Sequence, residues 1–163
     1  MRRLLRDEAL LAALPGWVLA RLFVAAGLVV AVVAADELRP DDRPLQIDQG
    51  LFAWDAAFYR DIADYGYDGV AREGLRFFPL LPLLSRWLGG VLLGQVGLAL
   101  LLLVQVAALA AGVLLFRVAL METGDRSVAT RASWLLALLP PATILVLGYA
   151  EALLLVCAIG FFL

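Results

Sequence analysis

Long apolar runs, almost free of ionisable residues, constrain this chain more than any other feature. Residues 17–35 are apolar apart from Arg21, and a helix of that length, at about 1.5 Å per residue, nearly crosses a hydrocarbon core of about 30 Å. Residues 91–116 form a second run broken only by Gln95 and Gln105, and 134–148 a third that carries the Pro140-Pro141 pair. A fourth, 152–163, reaches only about 18 Å as a helix, so the expectation is an N-terminal part of a longer protein whose last span is truncated. Fusing the last two runs would make a helix of about 45 Å with Glu151 deep in hydrocarbon. Two spans turning near Gly148 and Tyr149 avoid that cost. Composition agrees, since 64% of the 163 residues are hydrophobic and 17% charged, against about 45–50% and about 25% in soluble domains. The expected fold is an all-α membrane protein of multi-pass transmembrane helices: one polytopic domain over 1–163, with spans at 17–35, 91–116, 134–148 and 152–163 and a long extracytoplasmic loop, 36–90, carrying interfacial helices.

Charge excludes several functions. The net charge of -2 gives no basis for binding nucleic acid, histidine is absent, and the single Cys157 lies in an apolar run. There is thus neither a disulfide framework nor a thiol–metal cluster. The N-terminal arginines Arg2, Arg3 and Arg6 make a plausible signal-peptide n-region, but the apolar stretch that follows exceeds the usual length of about 7–15 residues. The first span is expected to be retained, with Arg21 snorkelling to the headgroups. Arg2, Arg3 and Arg6 lie two spans away from Arg117, Arg126 and Arg131, so the two groups share one side, the cytoplasm by the positive-inside rule. The loop 36–90 then faces outward with ten of the fifteen acidic residues.

That loop starts polar and turn-prone (36–44) and becomes aromatic from Leu51 to Tyr67. Leu51, Trp54, Phe58, Ile62 and Tyr65 fall at helical spacing, which predicts an apolar stripe on an interfacial helix. Asp55 flanks that stripe. A carboxylate losing hydration among aromatic rings becomes a better proton acceptor; alternatively, Asp55 is a first-turn acid favoured by the helix dipole. Gly66 should end the helix and Tyr67-Asp68-Gly69 should turn the chain. Residues 76–87, RFFPLLPLLSRW, predict a short helix beginning near Pro79, bracketed by Arg72, Arg76 and Arg86. Their guanidinium groups suit a lipid phosphate or diphosphate, or ordinary phospholipid headgroups. Glu151, flanked by apolar runs, is either a functional acid or another first-turn acid.

Taken together, WDAAFYRDIADYGYDG (54–69), FFPLLPLL (77–84) and YAEALLL (149–155) resemble the PIG-V-like mannosyltransferases. These are GT-C-class polytopic glycosyltransferases with an acidic motif in the first extracytoplasmic loop, an aromatic-Pro helix after it, and a Tyr-x-Glu between later spans. The resemblance runs from about residue 17 to the end; Ala150 departs from it, standing where the family often has a small hydroxyl residue. It implies transfer of a hexose, mannose, from a polyprenyl-phosphate sugar to an extracytoplasmic glycan or glycolipid acceptor, by inverting displacement and in contact with membrane lipids. Under it Asp55 is the catalytic base, Tyr59, Tyr67, Arg76, Tyr149 and Glu151 surround the substrate, and Trp54, Phe77, Phe78 and Pro79 shape the pocket. No metal or other cofactor is required, because polyprenyl phosphate is already a fair leaving group, although paired carboxylates leave room for a loosely held divalent ion. The expected location is a bacterial plasma membrane with the active face outward. Two rival classes remain open: a transporter, which would bury charge within its spans, and a non-catalytic scaffold, which would keep the spans without needing Asp55.

Overall fold

A computed structural model describes residues 2–38 and 44–163, without the side chains of residues 2–7 and 45. The turn-prone stretch 39–43 lies outside the described residues, as do the side chains of Arg2, Arg3 and Arg6. Seven α-helices occur among the described residues: α1 (Arg2–Leu38), α2 (Leu45–Gln49), α3 (Asp55–Tyr65), α4 (Leu80–Val91), α5 (Val96–Thr123), α6 (Arg126–Leu138) and α7 (Glu151–Gly160). Short 3₁₀ helices at Gly50–Phe52, Tyr67–Gly69, Arg72–Arg76 and Pro140–Leu145 complete the regular structure. There is no strand among the described residues. Two helices are long and apolar enough to cross a membrane: Glu8–Leu38 within α1, at mean hydropathy 2.5, and α5, at 2.7.

The helices have other bounds than the expected runs: the first candidate span is Glu8–Leu38 and the last helix Glu151–Gly160. The second begins at Val96, after a turn that ends α4, and continues to Thr123. The third, 134–148, is not one helix. Leu139 is extended (φ -62, ψ 145), as the residue before a proline must be to avoid the ring, and Pro140 then starts the 3₁₀ helix. The chain turns through 146–150 and becomes helical again at Glu151. A single long helix over 134–163 is therefore not formed.

The chain divides into two compact units. The first comprises Met1–Phe23, Gln105–Val146 and Glu151–Leu163. Small residues let its helices approach closely: Ala9, Ala13 and Ala20 of α1 are buried, and a Cβ on Gly16 would lie 3.3 Å from the Trp134 ring. The Trp134 indole donates to Ala12 O at 2.9 Å, tying α6 to α1. Ala9, Phe116 and Ala129 form the buried centre. The α5–α6 corner follows from its residues. Gly124 takes the left-handed φ of 65° and donates back to Leu120 O, as a C-terminal glycine does. Asp125 then caps α6, accepting from the amides of Ser127 at 2.7 Å and Val128 at 3.3 Å.

The second unit comprises Val24–Val104 and Leu147–Ala150. In it α3 packs on α4; the buried residues of α3 are Ala56, Tyr59, Ile62 and Ala63, and those of α4 are Leu81, Pro82, Ser85 and Gly89. Of the expected stripe, Phe58, Ile62 and Tyr65 lie on α3. Of Leu51, Trp54, Phe58, Ile62 and Tyr65 only Ile62 is buried, while Trp54 and Tyr65 are 59% and 70% exposed. Because α3 starts at Asp55, Leu51 and Trp54 lie outside the helix. Gly66 ends α3 at φ 80°, donating to Ile62 O at 2.9 Å, and Tyr67–Gly69 forms the expected turn.

Gly89 sits at the α4–α5 corner, where an added Cβ would lie 2.8 Å from Val96 Cγ2 and 2.9 Å from Val96 Cα. Because backbone and not a flexible tip is in the way, Gly89→Ala should cost about 1–3 kcal/mol. At roughly 2–4 °C per kcal/mol for a chain of this size, the melting temperature should fall by several degrees. Gly90 faces open space, so Gly90→Ala should leave the melt unchanged or raise it slightly, by removing a helical glycine. Thermal unfolding of both variants in one detergent checks this; equal melts would show that the corner opens without strain.

Candidate functional site

The residues singled out by the motifs divide between the two units. Within the second unit, Phe77 is the centre of a group drawn from three segments. Its ring stacks on Phe58 (centroids 5.2 Å apart, planes at 19°) and meets Tyr59 edge-on (5.0 Å, 69°). Both geometries are ones that aromatic quadrupoles favour. The Tyr67 hydroxyl donates to Phe77 O at 2.6 Å, and the Arg76 guanidinium lies 5.2 Å from the Phe77 ring centroid. Phe77 itself is buried, whereas Phe78 and Pro79 are exposed. Pro79 stands just before α4, and its carbonyl accepts from Leu83 N.

Asp55 is the first residue of α3, where no side chain caps the helix and a negative charge meets the exposed amides. It is half-buried and makes no hydrogen bond or ion pair with any described residue. Phe58 and Tyr59, three and four residues further along α3, pack on Phe77. Trp54, immediately before Asp55, has φ 56° and ψ -123°, a region glycine occupies freely and a bulky side chain only under strain. That strained corner turns the chain into α3 and sets where the Asp55 carboxylate begins.

The 147–150 segment belongs to this unit too. Gly148 N donates to Leu51 O at 3.1 Å. A Cβ on Gly148 would lie 2.5 Å from Leu100 Cδ2 and 3.3 Å from Ala56 Cβ, so the backbone before Tyr149 rests against the start of α3, one residue from Asp55. Tyr149 is buried. WDAAFYR, FFP and GY are thus gathered in one compact unit although they are far apart in sequence. Glu151 falls in the other unit, as the first residue of α7, with its Oε2 buried and lacking a hydrogen-bond partner among the described residues.

One arginine expectation changes, that for Arg21. The three that bracket 76–87, Arg72, Arg76 and Arg86, are all exposed, and Arg86 also donates through Nε to Ala63 O at 2.7 Å near the end of α3. Arg21 does not snorkel. Its guanidinium lies 4.2 Å from the Trp17 ring centroid and donates to Gln105 Oε1 at 2.7 Å, Trp17 O at 3.1 Å and Leu145 O at 3.1 Å, all within the first unit. Sequence reasoning noticed Arg21 and Gln105 separately, as interruptions of two apolar runs, and nothing local in the sequence joins them. Among the described residues no group of three or more metal-ligating side chains converges.

What the fold defines without further argument is an all-helical protein with two helices long and apolar enough to cross a membrane. No protein-family model matches the chain, and neither do any curated protein or solved structure.

Proposed function

We propose that the protein is a membrane glycosyltransferase of the PIG-V-like, GT-C kind, moving mannose from a polyprenyl-phosphate donor to an acceptor hydroxyl on the extracytoplasmic side of a bacterial plasma membrane. The observation that carries this reading is the gathering of Asp55, Tyr59, Tyr67, Phe77 and Tyr149 in one compact unit from three separated motifs. In the proposed reaction Asp55 accepts the proton of the acceptor hydroxyl as its oxygen bonds to the anomeric carbon. The bond from that carbon to the phosphate oxygen breaks on the opposite face, polyprenyl phosphate leaves with the electron pair, and the anomeric configuration inverts. Arg76 offers an exposed guanidinium to the phosphate, and Glu151 keeps the substrate-binding role that the resemblance gives it. The test is transfer of radiolabelled mannose from polyprenyl-phosphate mannose in membranes containing the full-length protein. Transfer no greater than in membranes lacking it overturns the reading.

A transporter is the second reading, favoured by one specific observation: Arg21 is a cation inside a candidate membrane-crossing helix, beside Gln105. The donors described for Arg21 end on backbone carbonyls and one amide oxygen, which fits a structural tie better than a path. The topology proposed with the enzyme puts the loop 36–90 outside and Arg126 inside. Single cysteines at positions 68 and 126, in a Cys157→Ser background, should react with an impermeant thiol reagent from outside only at 68. Labelling at 126 from outside would reverse the orientation and with it the proposed active face.

A further inference from the structure

The broken segment after α6 leaves backbone carbonyls that a continuous helix would satisfy. In such a helix Leu145 O would accept from Tyr149 N and Val146 O from Ala150 N. Here Tyr149 N bonds instead to Leu147 O at 2.8 Å. The two carbonyls are taken by side chains from other helices: Arg21 Nη2 of α1 donates to Leu145 O at 3.1 Å, and Gln105 Nε2 of α5 donates to Val146 O at 2.7 Å. The donors are themselves locked together. Arg21 Nε donates to Gln105 Oε1 at 2.7 Å, Arg21 Nη1 to Trp17 O at 3.1 Å, and the Trp17 indole to Gln105 O at 3.1 Å. The result is a closed clamp joining α1, α5 and the end of the 3₁₀ helix Pro140–Leu145, entirely inside the first unit.

The chemistry of each member fits this task. Non-helical backbone at membrane depth persists only where protein groups satisfy it, and an ionisable side chain there signals a function by default. Arginine presents planar, diverging N–H groups that reach three acceptors at once, which a lysine ammonium on a flexible stem does not reproduce. A cation also suits the carbonyl-rich end of a helical segment. Gln105 both accepts from Arg21 and donates to Val146 O, so it relays the clamp from one helix to the break.

We propose that Arg21 and Gln105 are positioning residues, standing in for two missing helix amides so that the chain stops at Val146 and restarts as α7 at Glu151. The effect on transfer rests on the glycosyltransferase reading, whereas the clamp itself does not. Gln105→Glu is the sharpest variant: it keeps an oxygen for Arg21 but removes the donor to Val146 O. Arg21→Lys keeps the charge and removes the fork. Hydrogen exchange on the full-length protein in nanodiscs should show the amides of Tyr149 and of 155–158, beyond the first turn of α7, exchanging at least tenfold faster in both variants, while those of α3 keep wild-type protection. Unchanged exchange at Tyr149 and 155–158, or an equal acceleration throughout the chain, overturns the clamp whether or not the protein transfers mannose. In the transfer assay, Gln105→Glu combined with Glu151→Gln should be no slower than Glu151→Gln alone, because the first change acts through the second residue. Multiplying losses would place the effect of Gln105 elsewhere. A wild-type protein without transfer defeats the enzyme reading and leaves the exchange result to decide the clamp.

Discussion

Asp55→Asn should retain the fold and donor binding and lose mannose transfer by about 10²–10⁴-fold, the usual consequence of removing a general base. Asn has nearly the shape of Asp but cannot take a proton from an attacking hydroxyl. The structural cost should be small. Asp55 has no hydrogen-bond or ion-pair partner among the described residues, and what Asn forfeits is the favourable interaction of a charge with the first turn of α3, worth about 0.3–1 kcal/mol. A melt within a few degrees of wild type together with a dead enzyme is therefore the expected pair of results. Activity within about tenfold of wild type, a smaller loss than base removal brings, would leave Asp55 as a helix-start acid only. Glu151→Gln, assayed alongside, should act mainly on substrate affinity; if it is the dead variant and Asp55→Asn is not, the two roles exchange.

The second large effect is on stability. Phe77→Ala should destabilise the protein by about 3–5 kcal/mol, the range for deleting a buried phenyl ring. The ring is 9% exposed and makes two aromatic contacts, with Phe58 and Tyr59, each worth about 0.5–1.5 kcal/mol beyond its area. At roughly 2–4 °C per kcal/mol the melting temperature should fall by about 10 °C. Phe77→Leu restores most of the volume but neither ring contact and should fall between. Phe78→Ala supplies the contrast, since Phe78 is 79% exposed and should leave the melt almost unmoved. Should the two alanine variants melt together, Phe77 is not the centre of the group, and the gathering of Tyr59 and Tyr67 on it loses its structural basis.

Much of the chain could be read from neighbouring residues alone. The helical class follows from apolar runs too long for strands and almost free of charge. Gly66 ends α3 where its sequence neighbours say it should, because a residue with positive φ is needed there and glycine takes it without cost. Asp125 opens α6 as an N-cap, and Asp55 opens α3 as a first-turn acid. The proline pair carried its own signal, and its local effect outweighed the hydropathy that suggested one span over 134–148: a residue before proline leaves the helical region however apolar its surroundings.

Other features have causes that act across the fold and not along the chain. Helical spacing marks the faces of α3 but not which face is covered. The fold buries Ala56, Tyr59, Ile62 and Ala63, and Ala56 lies against Gly148 from far along the chain. The partners of Arg21 lie 84 and 124 residues away at Gln105 and Leu145, and those of Gly148 at Leu51, Ala56 and Leu100. Propensity, capping and periodicity reach about four residues along a helix, so they determine which segments are helical and where each one starts and stops. Which carbonyl the half-buried Arg21 guanidinium finds, and which rings meet Phe77, depends on how close separate helices can come. Tertiary packing alone decides that.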